Sequence, residues 1–298
     1  MKKRYRQKKY NKQKRIIIVS LFFITLSLSI GYSVFSSEIN LNAKVNIKQT
    51  TIDIDNLKTK IVSSGNGLYK DYTENNRYIY KGSAPNNYII FSDKLWRIIS
   101  IESDNTIKII KNDPLEKQVW NNTDSNDWTS ASLNTYLNTT YYSTFSNTDK
   151  IITHDFNIGQ IIYNNDDLST QIQNEKQTIW NGKIGLITVS DFIKANTNVS
   201  ECGNIKITNE NYLKTCRYSN YLLPKQFAWT INAYSNIDSR VATLNDKSWI
   251  GNNYPSALKV TFEGEVVGYS AAYPVMFLSS DIKLKGNGSI NEPYIIKN

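Results

Sequence analysis

The sequence predicts an α+β protein: one N-terminal transmembrane helix followed by an extracellular, mainly antiparallel β domain with a few short helices. Three observations carry that reading. Residues 16–35 form an uncharged apolar run behind a strongly basic tail. From residue 77 onward, short runs rich in Ile, Val, Tyr and Trp alternate with turn-forming clusters of Gly, Asn, Asp, Ser and Pro. Helical spacing is confined to brief stretches, of which Leu133, Tyr136, Leu137, Tyr141 and Phe145 make the clearest.

The apolar run, IIIVSLFFITLSLSIGYSVF, has twenty residues. At about 1.5 Å per residue it spans roughly 30 Å as a helix, about the thickness of a bilayer's hydrocarbon core. The fifteen residues before it contain nine Lys or Arg and no acid. By the positive-inside rule the tail stays cytoplasmic and the rest lies outside, so the expected location is the cytoplasmic membrane, single-pass, with the N-terminus inside. The alternative is a signal peptide with its apolar part at residues 16–30 and cleavage near Ser36, although Val34-Phe35-Ser36 fits the small-x-small cleavage pattern loosely. The expected layout is a cytoplasmic tail at 1–15, an anchor at 16–35, a membrane-proximal strand and linker at 36–66, and an extracellular domain at 67–298.

Charge narrows the partners. The chain carries 35 Lys and Arg against 26 Asp and Glu, and removing the nine cations of the tail leaves 26 of each. The expected exterior is therefore formally neutral, which removes the basic surface that nucleic-acid binding requires. Cys202 and Cys216 fall in an oxidising compartment under this topology and are expected to form a disulfide, with a zinc site the weaker alternative because no histidine lies near them.

Along the chain, residues 36–59 alternate polar and apolar and read as strand, and 61–67 (IVSSGNG) as a linker. Strands are expected at 77–81, 88–91, 95–101 and 106–110. The second and third should form a hairpin across Ser92-Asp93-Lys94, and the series an antiparallel meander ended by Pro114. Residues 118–129 are rich in Asn and Asp but lack the Gly and closing Glu of a calcium loop, so Asx turns leading to a helix capped by Thr129 are expected, and no metal site. Residues 166–177 show no period and read as loop. A buried strand at 184–189 precedes a short helix capped by Ser190, and further strands follow at 226–232, 240–244, 259–268 and 273–278.

His154 is the single histidine, with Asp155 beside it. Neighbours in an extended segment point to opposite faces, so the two do not make a catalytic dyad, and no catalytic residue is assigned. The residues singled out for binding are Trp229, Arg240 and Trp249, aromatics and a cation among turn-rich segments late in the chain.

Several stretches resemble a group of membrane-anchored surface proteins of low-GC Gram-positive bacteria: GYSVFSSEINLNAKV at 31–45, GLYKDYTENNRYIYKGSAPNNYIIF and LWRIISIESDNTIKII within 67–110, WTSASLNTYLNTTYY at 128–142, WNGKIGLITVSDF at 180–192, FAWTIN at 227–232 and YPVMFLSSDIKLKGNGSINEPYII at 273–296. The module of that group is similar to the C-type-lectin-like fold shared with formylglycine-generating enzymes, which implies short twisted antiparallel sheets, two helices and long ordered loops. The chain departs from that pattern in three places. Tyr273 precedes Pro274 where such relatives carry Arg, Cys202 and Cys216 are not set in the enzymes' cysteine motif, and Asn291-Glu292-Pro293 reverses the lectins' calcium-binding order. Neither activity nor metal site is carried over, and no cofactor is expected.

The function expected is a non-catalytic binding or adhesion module tethered to the membrane, its ligand a glycan or a protein. An aromatic content of 12% with many Asn and Tyr suits such recognition. The alternatives are a cell-envelope enzyme on the same scaffold and a passive structural surface protein.

Overall fold

The computed structural model describes residues 19–22, 24–26, 51–116, 118–123, 125–161, 168–198, 219–222, 228–233, 240–244, 256–259 and 270–297. A compact unit runs from Thr50 to Asn298 and is α+β. Of the expected anchor only 19–22 and 24–26 are described, as helix, and among the described residues no helix is long and apolar enough to cross a membrane. Cys202, Cys216 and Trp249 lie outside the described residues.

The unit opens with a helix, α1 (Ile54–Lys58), where alternation predicts strand. Asp53 caps it by accepting the Asn56 N–H at 2.8 Å, and Ile54 and Leu57, three apart, both enter the core. Residues 51–60 are part of the folded unit, and Ile52 bridges Leu284.

Strands β1 (Gly67–Lys70) and β2 (Tyr78–Lys81) pair antiparallel. The expected meander follows as β3 (Tyr88–Phe91), β4 (Lys94–Ile101) and β5 (Ile107–Lys111). Phe91 pairs with Lys94 around a two-residue turn whose Ser92 and Asp93 both have positive φ, 45° and 58°. Two left-handed residues in succession match the twist of the flanking strands, which sets the register of β3 on β4. From Trp96 to Ile101 every residue of β4 is buried. Two strands share one edge of β4, with β3 along its first half and β2 at Ser100 and Ile101; on the other edge the pairing with β5 shifts register between Ile98 and Ser100.

Helix α2 (Ser132–Tyr136) is preceded by a 3₁₀ turn at Trp128–Ser130 that Asp127, not Thr129, caps by accepting the Thr129 N–H. Aspartate reaches the donor two residues on, which leaves Thr129 inside the turn. After α2 the chain widens into a π-helical turn at Leu137–Tyr141. Leu133, Leu137, Tyr141 and Phe145 are all buried. Four-residue spacing drifts about 40° per step on an α-helix, and the wider turn cancels that drift.

Next come β6 (Ile151–Ile152), β7 (His154–Asn157), α3 (Leu168–Glu175), β8 (Ile179–Gly182), β9 (Ile184–Gly185) and α4 (Val189–Lys194). Helix α3 replaces the expected loop. It buries Gln171, Asn174 and Glu175 beside Ile172, and those polar side chains hide it from any apolar-period test. Thr188, not Ser190, caps α4; Ser190 instead hydrogen-bonds Glu175. Of the expected strand at 184–189 only Ile184 and Gly185 pair, because the chain then turns into the α4 cap.

Strands β10 (Ala228–Ala233), β11 (Arg240–Leu244) and β12 (Ser256–Lys259) form a separate three-stranded sheet; residues 260–268 of the strand expected at 259–268 lie outside the described residues. The last strands are β13 (Val275–Leu278), β14 (Lys283–Lys285) and β15 (Tyr294–Lys297). All four residues of β13 are buried, between β5 on one edge and β6 and β9 on the other, as expected of a central strand. The main sheet is mixed: β15 runs parallel to β3, and its remaining pairs are antiparallel. Gly288, at φ 78° in the β14–β15 connection, passes so close to Asn86 that a Cβ would stand 2.5 Å from its carbonyl oxygen.

Candidate functional site

Among the concave regions lined by described residues, the two of largest volume differ in how their charges are paired. The first is a cavity of about 270 Å³ between the ends of β3, β4 and β5 and the smaller sheet. Arg97 of β4 enters it from the middle of an apolar strand and is only 8% exposed. Its guanidinium lies between two phenol rings, 3.9 Å from the centroid of Tyr88 and 4.6 Å from that of Tyr221. Nε donates to Asn87 Oδ1 at 2.7 Å, Nη1 to the Tyr88 hydroxyl at 3.1 Å and Nη2 to the Pro85 carbonyl at 3.3 Å. All of these partners are neutral. Burial pushes the guanidinium pKa down, against the smaller opposing pull of the two phenols.

Local structure explains this placement. Asn87 also donates to the Ile98 carbonyl at 2.6 Å, so it bridges β4 to the strand edge and presents its oxygen to Arg97. Tyr221 is fixed at both ends, its N–H on the Gly82 carbonyl at 2.7 Å and its hydroxyl on the Ile98 carbonyl at 3.1 Å. The apolar wall comes from Ile110, Ile187, Leu222, Ala228 and Leu244, and Tyr273 and the segment from Lys111 to Pro114 complete the lining. Lys111 Nζ donates to the Asp113 carbonyl at 2.7 Å, and burial lowers its pKa, with Asp113 opposing.

The second region is a polar cleft of about 350 Å³ built on Arg77, 4% exposed. Arg77 donates to Asp71 at 2.6 Å, Glu102 at 2.8 Å and Asp191 at 2.9 Å. Lys108 pairs with Asp191, and Lys194 with Asp71 at 3.2 Å and Glu74 at 3.4 Å. Burial works against the charged forms, but each group's partners outweigh it. Arg77 is held well above its ordinary value by Glu102, Asp191 and Asp71, while Asp71 and Asp191 lie well below the usual carboxylate range. Behind them Glu175 is raised by burial, offset in part by hydrogen bonds from Ser190 and Gln171. Among the described residues no three His, Cys, Asp or Glu side chains converge as a metal site requires.

Comparison of the chain with protein families, with curated proteins and with solved structures returned no match. The two sites therefore rest on their own chemistry.

His154 lies at the rim of the polar cleft, stacked 3.8 Å from the Phe277 ring. Its Nε2 stands 3.4 Å from Asp104 Oδ2 and its Nδ1 3.1 Å from the Asp155 carbonyl oxygen. The Asp155 carboxylate does not meet the imidazole; it accepts from Asn181 at 2.8 Å, as alternation along a strand requires. Both ring nitrogens thus face oxygen acceptors, and the acid that His154 reaches is fifty residues distant in sequence rather than its neighbour.

Of the residues singled out for binding, Trp229 is fully buried, its indole N–H donating to the Gln118 carbonyl at 2.7 Å. Trp120 returns the contact to the Thr230 carbonyl at 3.0 Å, so the two indoles brace β10 against the segment before α2. No face of Trp229 is open to a ligand. Arg240 begins β11, exposed, its carbonyl accepting from Asn126 at 2.9 Å. Neither Trp229 nor Arg240 lines the Arg97 cavity. The signal for Arg97 was a lone cation inside LWRIIS, since arginine is almost never buried in a strand without a partner.

Proposed function

We propose that the protein is a non-catalytic binding module displayed outside the cytoplasmic membrane, held by the apolar run at 16–35, and that its ligand enters the Arg97 cavity. One observation carries the choice of site. Arg77 and Arg97 are both buried arginines, but Arg77 has three carboxylates and, among the described residues, Arg97 has only neutral partners. The polar cleft spends its charges on itself, whereas the aromatic-walled cavity holds an unbalanced cation. A C-type-lectin-like arrangement of the exterior is part of the same proposal; short antiparallel strands, few helices and long connections support it.

The full chain in detergent, applied to arrays of cell-surface glycans and extracellular proteins, is expected to give at least one binder that Arg97→Lys weakens. Binders unaffected by that change, or none at all, would remove the cavity from consideration.

A second reading, an envelope hydrolase, draws on His154 reaching Asp104 at the rim of the polar cleft. Hydrolysis of model esters, glycosides or phosphodiesters that both His154→Ala and Asp104→Asn abolish would establish it. The expected result is no such turnover, because both ring nitrogens are already engaged, Nε2 with Asp104 and Nδ1 with the Asp155 carbonyl.

A further inference from the structure

We propose that the Arg97 cavity takes a single carboxylate group carried on a body about the size of one sugar ring. The inference rests on the binding reading above and names the chemistry of its ligand.

Charge argues first. Among the described residues Arg97 has no counter-anion; a desolvated guanidinium so placed is costly, and the phenol faces and neutral acceptors around it offset only part of that cost. An anion from outside supplies what Asp71, Glu102 and Asp191 supply to Arg77. Among the described residues, Arg97 and Lys111 against Asp113 leave the lining with one net positive charge, which one carboxylate balances. A phosphate monoester, at about −1.5 to −2 near neutral pH, overshoots it.

Donor geometry argues second. A guanidinium has five N–H groups. Three are engaged, by Asn87, Tyr88 and Pro85, and two are left for a planar acceptor. Asn87 and the two tyrosine rings fix the plane before any ligand arrives, so little rotamer entropy is lost on binding.

Size and wall chemistry argue third. The volume, about 270 Å³, lies just under the roughly 300 Å³ at which pockets for drug-sized molecules begin, so one ring fits and an extended oligomer does not. Ile187, Leu222 and Leu244 offer apolar wall to the ring body, while Asn112 and Lys111 offer polar groups. Two sources share this chemistry: an acidic sugar unit and a small organic acid with an apolar ring.

The test uses the full chain in detergent with glucuronate and cyclohexanecarboxylate as probes, beside glucose, cyclohexanecarboxamide and inorganic phosphate, read by ligand-observed NMR and calorimetry. One of the two carboxylates is expected to bind at least about tenfold more tightly than its uncharged counterpart and than phosphate. Arg97→Lys, which keeps the charge and loses the fork, should weaken it about tenfold or more. Lys111→Gln, at the rim, should weaken it by a smaller factor with an unchanged melting temperature. Which carboxylate wins identifies the source. Equal binding of charged and uncharged probes, preference for phosphate, or indifference to both substitutions overturns the carboxylate assignment. If array binders remain sensitive to Arg97→Lys in that event, the binding module stands with a different ligand; if they too are insensitive, both readings fall.

Discussion

Replacing Arg77 with Met is expected to destabilise the folded unit by about 3–5 kcal/mol, read by chemical denaturation, because it strands Asp71, Glu102 and Asp191 without their shared cation. The comparison is Lys150→Met, which breaks the exposed pair with Asp281 and should cost no more than about 1 kcal/mol. The same network sets the response to acid. The folded-state pKa values of Asp71, Asp191 and Glu102 lie below their ordinary values. Their contribution is therefore complete above the ordinary carboxylate pKa of about 4 and lost as pH falls below it toward the folded values. Glu175 has the opposite sign: its raised value favours the fold below about pH 4 and withdraws that contribution as pH rises through the folded pKa. Arg77→Met should make the acid limb of the wild-type stability profile shallower. Equal acid slopes in the two proteins, or a loss no larger than that of Lys150→Met, would show that the carboxylates find other partners.

What was legible in the sequence followed from local chemistry. The meander came through because Ser92-Asp93 and Ser103-Asp104-Asn105 are turn signals between β-branched runs, and the structure places positive φ at Ser92, Asp93 and Asn105. Strand β13 was readable as a continuous apolar run, which burial on both faces demands. Helix α3 was not readable: Gln171 and Glu175 hydrogen-bond each other one turn apart, and Glu175 takes the Ser190 N–H at 2.9 Å. Its stability resides in buried polar pairing between segments, which no hydrophobic period reports. The site was missed for a related reason. Tyr88, Arg97 and Tyr221 converge from two adjacent strands and a segment more than a hundred residues later, and the late tryptophans drew attention by residue type alone.

Asn232→Ala is expected to cost about 3 kcal/mol, a large loss for one polar side chain in a strand. In the fold Asn232 is fully buried, and its amide joins three segments. Oδ1 accepts the Val189 N–H at 3.0 Å at the start of α4, while Nδ2 donates to the Gly159 carbonyl at 2.9 Å and the Asn157 carbonyl at 3.3 Å. Truncation leaves a donor and two acceptors without that partner where water does not enter, and each such group costs about 1–3 kcal/mol. Asn232→Asp separates the two sides of the amide: it keeps an acceptor for Val189 but turns a carboxylate toward two carbonyl oxygens, so it should be no better than alanine. Hydrogen exchange should rise first at Val189 and at the end of β7, before global unfolding. Ile187 is tied to β10 by the Ile231 N–H at 3.0 Å and forms part of the Arg97 cavity wall, so the substitution should also weaken any ligand held there. A loss of stability under about 0.5 kcal/mol would mean that water or a neighbouring side chain satisfies all three groups. Asn232 would then be a tolerated polar residue in β10 and not the tie that holds the cavity wall to the smaller sheet.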